Sequence, residues 1–169
     1  MSSTLSTSLG NKGVRRNDKY KDVVNLLVYG SLDGKSGGLK PFDNIKDLII
    51  FAAMVGMQFE TTEDVDPSNH TSITLGTFSG AGSRGTRVGQ HDIIFMFGLL
   101  LKKDIIAIKD ENLSDSIALF EQYSNGGLSM IHDWLVAAAW NPLTLEQVLL
   151  DFVASSSTSG IRVEGGNPF

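Results

Sequence analysis

The run Gly80-Ala81-Gly82-Ser83-Arg84-Gly85 has the literal spacing of a dinucleotide-binding fingerprint. In that motif glycines let backbone N–H groups approach a pyrophosphate at the start of a helix within a parallel βαβ unit. The context here is wrong for that chemistry. The preceding run, Ser72 to Phe78, is short and polar, and Thr86 to Gln90 separates the last glycine from the helical pattern that begins at His91. Asp104 stands where a ribose-binding acid is expected, but it precedes the apolar Ile105 to Ile108 instead of ending a second strand. A glycine loop is the simpler reading, and Arg84 and Arg87 within it can still clamp an anion, because a guanidinium presents a planar fork to phosphate or carboxylate. Gly30-Ser31-Leu32-Asp33-Gly34-Lys35-Ser36 is one residue short of a P-loop between its glycines and follows a helical pattern, not a strand, so it reads as an ordinary loop.

Other chemistries lack their anchors. No cysteine occurs, which removes disulfides, thiolate metal sites and cysteine nucleophiles. His70, His91 and His132 lie far apart, so no metal site is readable, and His132-Asp133 are sequence neighbours splayed on a helix, which does not make an acid/base couple. No Gly-x-Ser-x-Gly elbow exposes a serine. No catalytic residue, metal or cofactor is therefore expected. Charge is more informative: the net value is -5, yet residues 1 to 40 hold seven Lys/Arg against three Asp and residues 41 to 169 seven against sixteen Asp/Glu. A basic arm before an acidic body can contact nucleic acid, and Arg15, Arg16, Lys19 and Lys21, with Arg84 and Arg87, are the candidate phosphate contacts.

The run Phe120-Glu121-Gln122-Tyr123-Ser124-Asn125-Gly126-Gly127-Leu128 combines residues that tolerate left-handed conformations with a specific acid and tyrosine. It predicts a corner between two helices. Together with Phe42 and the helix Asp47-Leu48-Ile49-Ile50-Phe51-Ala52-Ala53-Met54-Val55-Gly56, this run resembles the small proteins associated with DNA phosphorothioation (dnd) systems, over residues 19 to 130. Ser124 departs from the alanine of that pattern. The resemblance implies a non-enzymatic accessory protein of a bacterial modification and restriction locus in antiviral defence, with other proteins of the locus, and DNA, as partners. It implies Phe51, Gly56, Glu121, Tyr123, Asn125 and Gly126 as signature positions, without roles. The alternative is a DNA-binding module that uses the basic arm and the Arg84/Arg87 loop.

The apolar spacing of the segments that hold these residues is mostly helical. Tyr20, Val23, Val24, Leu27 and Val28 form one stripe, and Ile45, Leu48, Ile49, Ala52 and Ala53 another that Gly56 is placed to stop. Further helices are expected over His91 to Lys102 (buried), Leu113 to Ser124, Leu128 to Trp140 and Thr144 to Ala154, the last with a capping-box pattern. Trp134, Trp140, Phe120 and Tyr123 read as packing residues. The expected fold is mainly α: a compact helical domain of about five to six helices, with a long glycine-rich loop and room for a short strand or hairpin. Residues 1–17 are expected as a mobile basic arm, 18–154 as one domain and 155–169 as a flexible tail. Met1 to Gly13 lacks the apolar core of a secretory signal and no run is long enough to span a bilayer, so a cytoplasmic protein that does not contact membrane is expected.

Overall fold

The computed structural model describes residues 12–32, 35–36, 40–75, 90–103, 113–143, 145–148 and 150–151. Strand β1 (Gly13–Asn17) leads through a 3-10 turn, Asp18–Tyr20, into helix α1 (Lys21–Tyr29). A minimal hairpin follows, β2 (Ser31–Leu32) with β3 (Lys35–Ser36), and then helix α2 (Ile45–Gln58). Strand β4 (His70–Thr74) returns antiparallel to β1, with Gly13 opposite Thr74 and Asn17 opposite His70. Helices α3 (Gln90–Lys102) and α4 (Leu113–Ala137) complete the larger elements, and residues 145–148 and 150–151 are again helical. The described residues are thus mostly helical, as expected, with two small antiparallel strand pairs.

Local chemistry explains the boundaries. Gly30 closes α1 in the left-handed region, φ 62°, and its N–H donates to the carbonyls of Asn25 and Leu26. Asn44 caps α2, its side chain accepting from the Asp47 N–H at 3.1 Å. The predicted stripe is buried at Leu48, Ile49, Ala52 and Ala53, and joins Val23, Leu27, Phe120, Leu128 and Ile131 in one core.

Several expectations are corrected by the structure. Residues 13–17, expected within the mobile arm, form β1, because their backbone pairs with β4 and Val14 is wholly buried. Gly30 to Lys40 carries the β2–β3 hairpin instead of being only a loop. Helix α3 is buried on one face alone: Ile94 and Phe97 are covered, while Met96, Leu99 and Leu100 are exposed. The Asn125-Gly126-Gly127 corner does not exist. Helix α4 runs unbroken through it for 25 residues, with Ser124 to Leu128 all buried at its middle.

The glycines serve close approach, not chain reversal. A β-carbon on Gly127 would land on the Ala52 carbonyl of α2, and one on Gly56 would land on the Tyr123 carbonyl of α4. Gly56 therefore does not stop α2, which continues to Gln58. One on Gly126 would strike the carbonyl of Thr61, in the segment that leaves α2 and crosses α4. Two mid-helix glycines forgo about 2 kcal/mol of helix propensity relative to alanine. The close contact of α2, the helix packed most extensively on α4, offsets that loss. Gly127→Ala should therefore lower the thermal midpoint despite alanine's better propensity, the overpacking costing about 1–3 kcal/mol or more; thermal unfolding by circular dichroism checks this, with Val136→Ala, at an exposed position of the same helix, expected to change little.

Candidate functional site

Around the middle of α4 the side chains of β1, the 3-10 turn and the segment after α2 converge in a polar clasp. Glu121 sits at its centre, with its side chain 2% exposed. Burying a carboxylate is costly unless its oxygens are satisfied. Here Oε1 accepts from the Arg15 backbone N–H at 2.7 Å and from Arg15 Nε at 3.0 Å, and Oε2 accepts from Arg15 Nη2 at 2.7 Å. The pair is forked, the geometry that makes arginine–carboxylate bonds strong. The Glu121 bond, then its charge, raises the Arg15 pKa above its ordinary value.

One turn along, Asn125 continues the clasp. Its Oδ1 accepts from the Asn17 N–H at 2.8 Å, and its Nδ2 donates to the carbonyls of Glu121 at 2.8 Å and Arg15 at 3.2 Å. Asn17 then reaches outward: Nδ2 donates to Glu63 Oε1 at 2.6 Å and to the Asp64 carbonyl at 3.0 Å, while Oδ1 accepts from the Asp66 N–H at 2.7 Å. Glu63 is held from three sides. The Tyr20 hydroxyl donates to Oε2 at 2.5 Å, Lys19 Nζ approaches it at 3.0 Å, and its own N–H donates to the Gln122 carbonyl at 3.0 Å. Gln122 Nε2 closes the circuit on Asp64 Oδ1 at 2.8 Å.

Burial, then the Glu63 bond, pushes the Tyr20 phenol above its ordinary 10.0, and the Glu63 bond, then Tyr20, raises the Lys19 ammonium above 10.5. Raised folded-state values favour the native chain while both groups are protonated. That contribution is fully present below about pH 10 and is lost as pH rises through the folded values. The side chain of Asp66 accepts from the Ser68 hydroxyl at 2.7 Å and N–H at 2.9 Å, which lowers its pKa and folds the exposed 66–69 turn.

The candidate residues fall into distinct places. Arg15 belongs to the clasp, as do Glu121 and Asn125; Gly56 and Gly126 permit the crossing; the half-buried Tyr123 ring packs 6.4 Å from Phe97, and Phe51 packs 5.3 Å from Phe42, centroid to centroid. Arg16 pairs with Asp18 at 3.2 Å and Lys19 with Glu63, while Lys21 is exposed on α1. The Gly80–Gly85 loop with Arg84 and Arg87, the side chain of His91 and the Thr144 cap lie outside the described residues. His132 and Asp133 do meet, at 3.3 Å on an exposed surface, although they were expected to splay apart; the His132 ring also packs against Tyr20 and Trp140. Among the described residues no three His, Asp or Glu side chains gather into a metal site, and no helix is long and apolar enough to cross a membrane.

Sequence reasoning missed Asn17, Tyr20 and Glu63 as members of one site. Glu63 lies in a polar stretch without periodicity, and nothing local marks it. Beside the crossing there is also an apolar groove of about 200 Å³, lined by Phe51, Met54, Val55, Gln58, Phe59, Trp134 and Val148. Trp134, read as a core residue, forms one wall of it, edge-on to Phe59 at 5.7 Å.

Crossing and clasp together define a small, mainly α-helical protein whose most distinctive residues hold helices and β1 in register. The chain belongs to the family of DNA sulphur modification system-associated protein 4, which matches residues 14–162. Membership associates it with DNA sulphur modification (dnd) systems. Searches of curated proteins and of solved structures gave no match.

The buried carboxylate makes a signed prediction. Arg15→Ala removes the side-chain partner of the buried Glu121 carboxylate but keeps the backbone N–H bond, and because Arg15 is itself nearly half exposed the cost should be about 1–3 kcal/mol. Adding Glu121→Gln to it removes that charge and should recover part of the loss, so chemical denaturation should find Arg15→Ala/Glu121→Gln more stable than Arg15→Ala alone.

Proposed function

We propose that the chain serves bacterial DNA sulphur modification systems, within their anti-phage role, as a non-enzymatic accessory protein that binds other proteins of the system. The observation that supports this reading is the apolar groove beside the α2–α4 crossing. Glu121, Asn125 and the crossing glycines are engaged internally, so the residues that distinguish the chain build a frame. Met54 and Phe59 stay exposed on that frame, next to Trp134. Methionine and aromatic side chains adapt to, and anchor, apolar groups of a partner, and a groove of this volume suits one or two such side chains. Its occupant in this reading is an apolar anchor on another protein of the same system.

A second reading, direct contact with DNA phosphates, is favoured by one observation: Arg16, Lys19 and Lys21 line one open cavity together with a single carboxylate, Asp18.

Co-purification of the chain with the proteins of a DNA sulphur modification system tests the first reading. Met54→Glu, which places a charge at the groove without touching the core, should abolish the association and leave the thermal midpoint nearly unchanged. The wild-type association should be weakly sensitive to salt, unlike a phosphate contact. Association that survives Met54→Glu, or no association with any protein of the system, contradicts it.

A further inference from the structure

Strand β1 carries two adjacent arginines with different surroundings. Successive strand residues point to opposite faces, so Arg15 turns to Glu121 while Arg16 lines up with Val14. Their cross-strand partners are Thr71 for Arg16 and Ile73 for Val14. Val14 and Ile73 are buried, and Arg16 extends that row with a side chain only 8% exposed. A guanidinium has five N–H donors and no acceptor. Arg16 Nη2 donates to Asp18 Oδ1 at 3.2 Å, but the buried Nε has no acceptor.

The same side chain lines an open cavity of about 510 Å³ together with Asp18, Lys19, Lys21, Asn69 and Thr71. Three cations there face one carboxylate. Asp18 is already engaged by the Thr71 hydroxyl at 2.6 Å and by Arg16, and the Thr71 bond, ahead of Arg16, lowers its pKa. Lys19 uses a donor on Glu63 and has others, since an ammonium carries three. Lys21 is exposed and meets no acceptor among the described residues.

We propose that this cavity binds a backbone phosphate of a DNA strand, with Arg16, Lys19 and Lys21 as its donors. An open cavity does not enclose a small metabolite as ligand pockets do, whereas strand phosphates are held at the surface by arginine and lysine. Arg16 distinguishes the site from a solvated lysine cluster: its side chain is only 8% exposed and Asp18 holds its guanidinium at the cavity wall, so that cation is fixed in place before any ligand arrives. Arg15, committed to Glu121, takes no part. The proposal rests on the DNA-contact reading and is independent of the apolar groove.

Fluorescence anisotropy with a short labelled duplex, across a salt series and on the full chain, tests it. Binding should weaken steeply with salt, and Lys21→Ala should reduce the slope of log affinity against log salt by about 1. Lys40→Ala, an equal charge change at an exposed lysine outside the cavity, should leave the slope unchanged. Asp18→Asn keeps an oxygen for Thr71 and removes the repelling charge, so it should tighten binding several-fold. Inorganic phosphate should compete with the duplex. The proposal is overturned by absence of duplex binding at low salt, by equal effects of Lys21→Ala and Lys40→Ala, by an Asp18→Asn variant that gains nothing, or by phosphate binding without duplex binding. Met54→Glu should bind duplex like the wild type, which separates this result from the fate of the partner groove.

Discussion

Backbone meets backbone where α2 crosses α4, and the rest of the described structure is arranged around that contact. Side chains normally keep helix axes 8–10 Å apart. At this crossing Ala52, Gly56, Gly126 and Gly127 remove them, so that each helix places a carbonyl where the other lacks a β-carbon. The helix propensity lost at two glycines is small beside the steric cost of filling either position. Dispersion between closely packed atoms, individually weak and collectively large, favours the tight arrangement. A second consequence follows from Gly126, since the segment after α2 can lie directly over α4. Its path is fixed there by the Thr61 N–H bonded to the Gly56 carbonyl at 2.8 Å and the Glu63 N–H bonded to the Gln122 carbonyl at 3.0 Å.

The polar clasp depends on that geometry. Only because the 61–66 segment is held over α4 can Glu63 reach Asn17, Lys19 and Tyr20, and only because β1 lies along α4 can Arg15 satisfy Glu121. Buried ion pairs are weak sources of net stability, because desolvation consumes much of the attraction. Their effect here is to specify position. An unsatisfied Glu121 penalises every register of β1 except the one that brings the Arg15 N–H and guanidinium together. The two features divide the work: apolar close contact supplies cohesion, and the carboxylates and Asn125 select one arrangement. Outside them lie the apolar groove, where Met54 and Phe59 stay exposed, and the cavity lined by Arg16.

The sequence carried the helical character, the buried stripes of α1 and α2 and the importance of Glu121, Asn125 and Gly126 because each is marked locally, by period or by residue type. It misled where one residue type serves opposite ends. Glycine after asparagine ends helices when water surrounds it and joins them when another backbone lies within reach, and only the tertiary partner distinguishes the cases. Hence Gly56 read as a stop and Gly126-Gly127 as a corner. Strand β1 was hidden for a related reason: two successive arginines look solvated until Glu121, more than a hundred residues away, and Asp18 accept their charges. Glu63 and Asn17 carried no local signal, since their partners lie 46 residues apart in sequence.

Asn125-Gly126-Gly127 lies in the buried middle of one continuous helix. Native-state amide hydrogen exchange measures this directly, because protection tracks the free energy of opening at each amide. The amides of Gly126, Gly127 and Leu128 should exchange as slowly as those of Phe120 and Ile131, which flank them in α4. Fast exchange confined to 125–127, with slow exchange on either side, would mean two helices joined at a corner and would contradict the account.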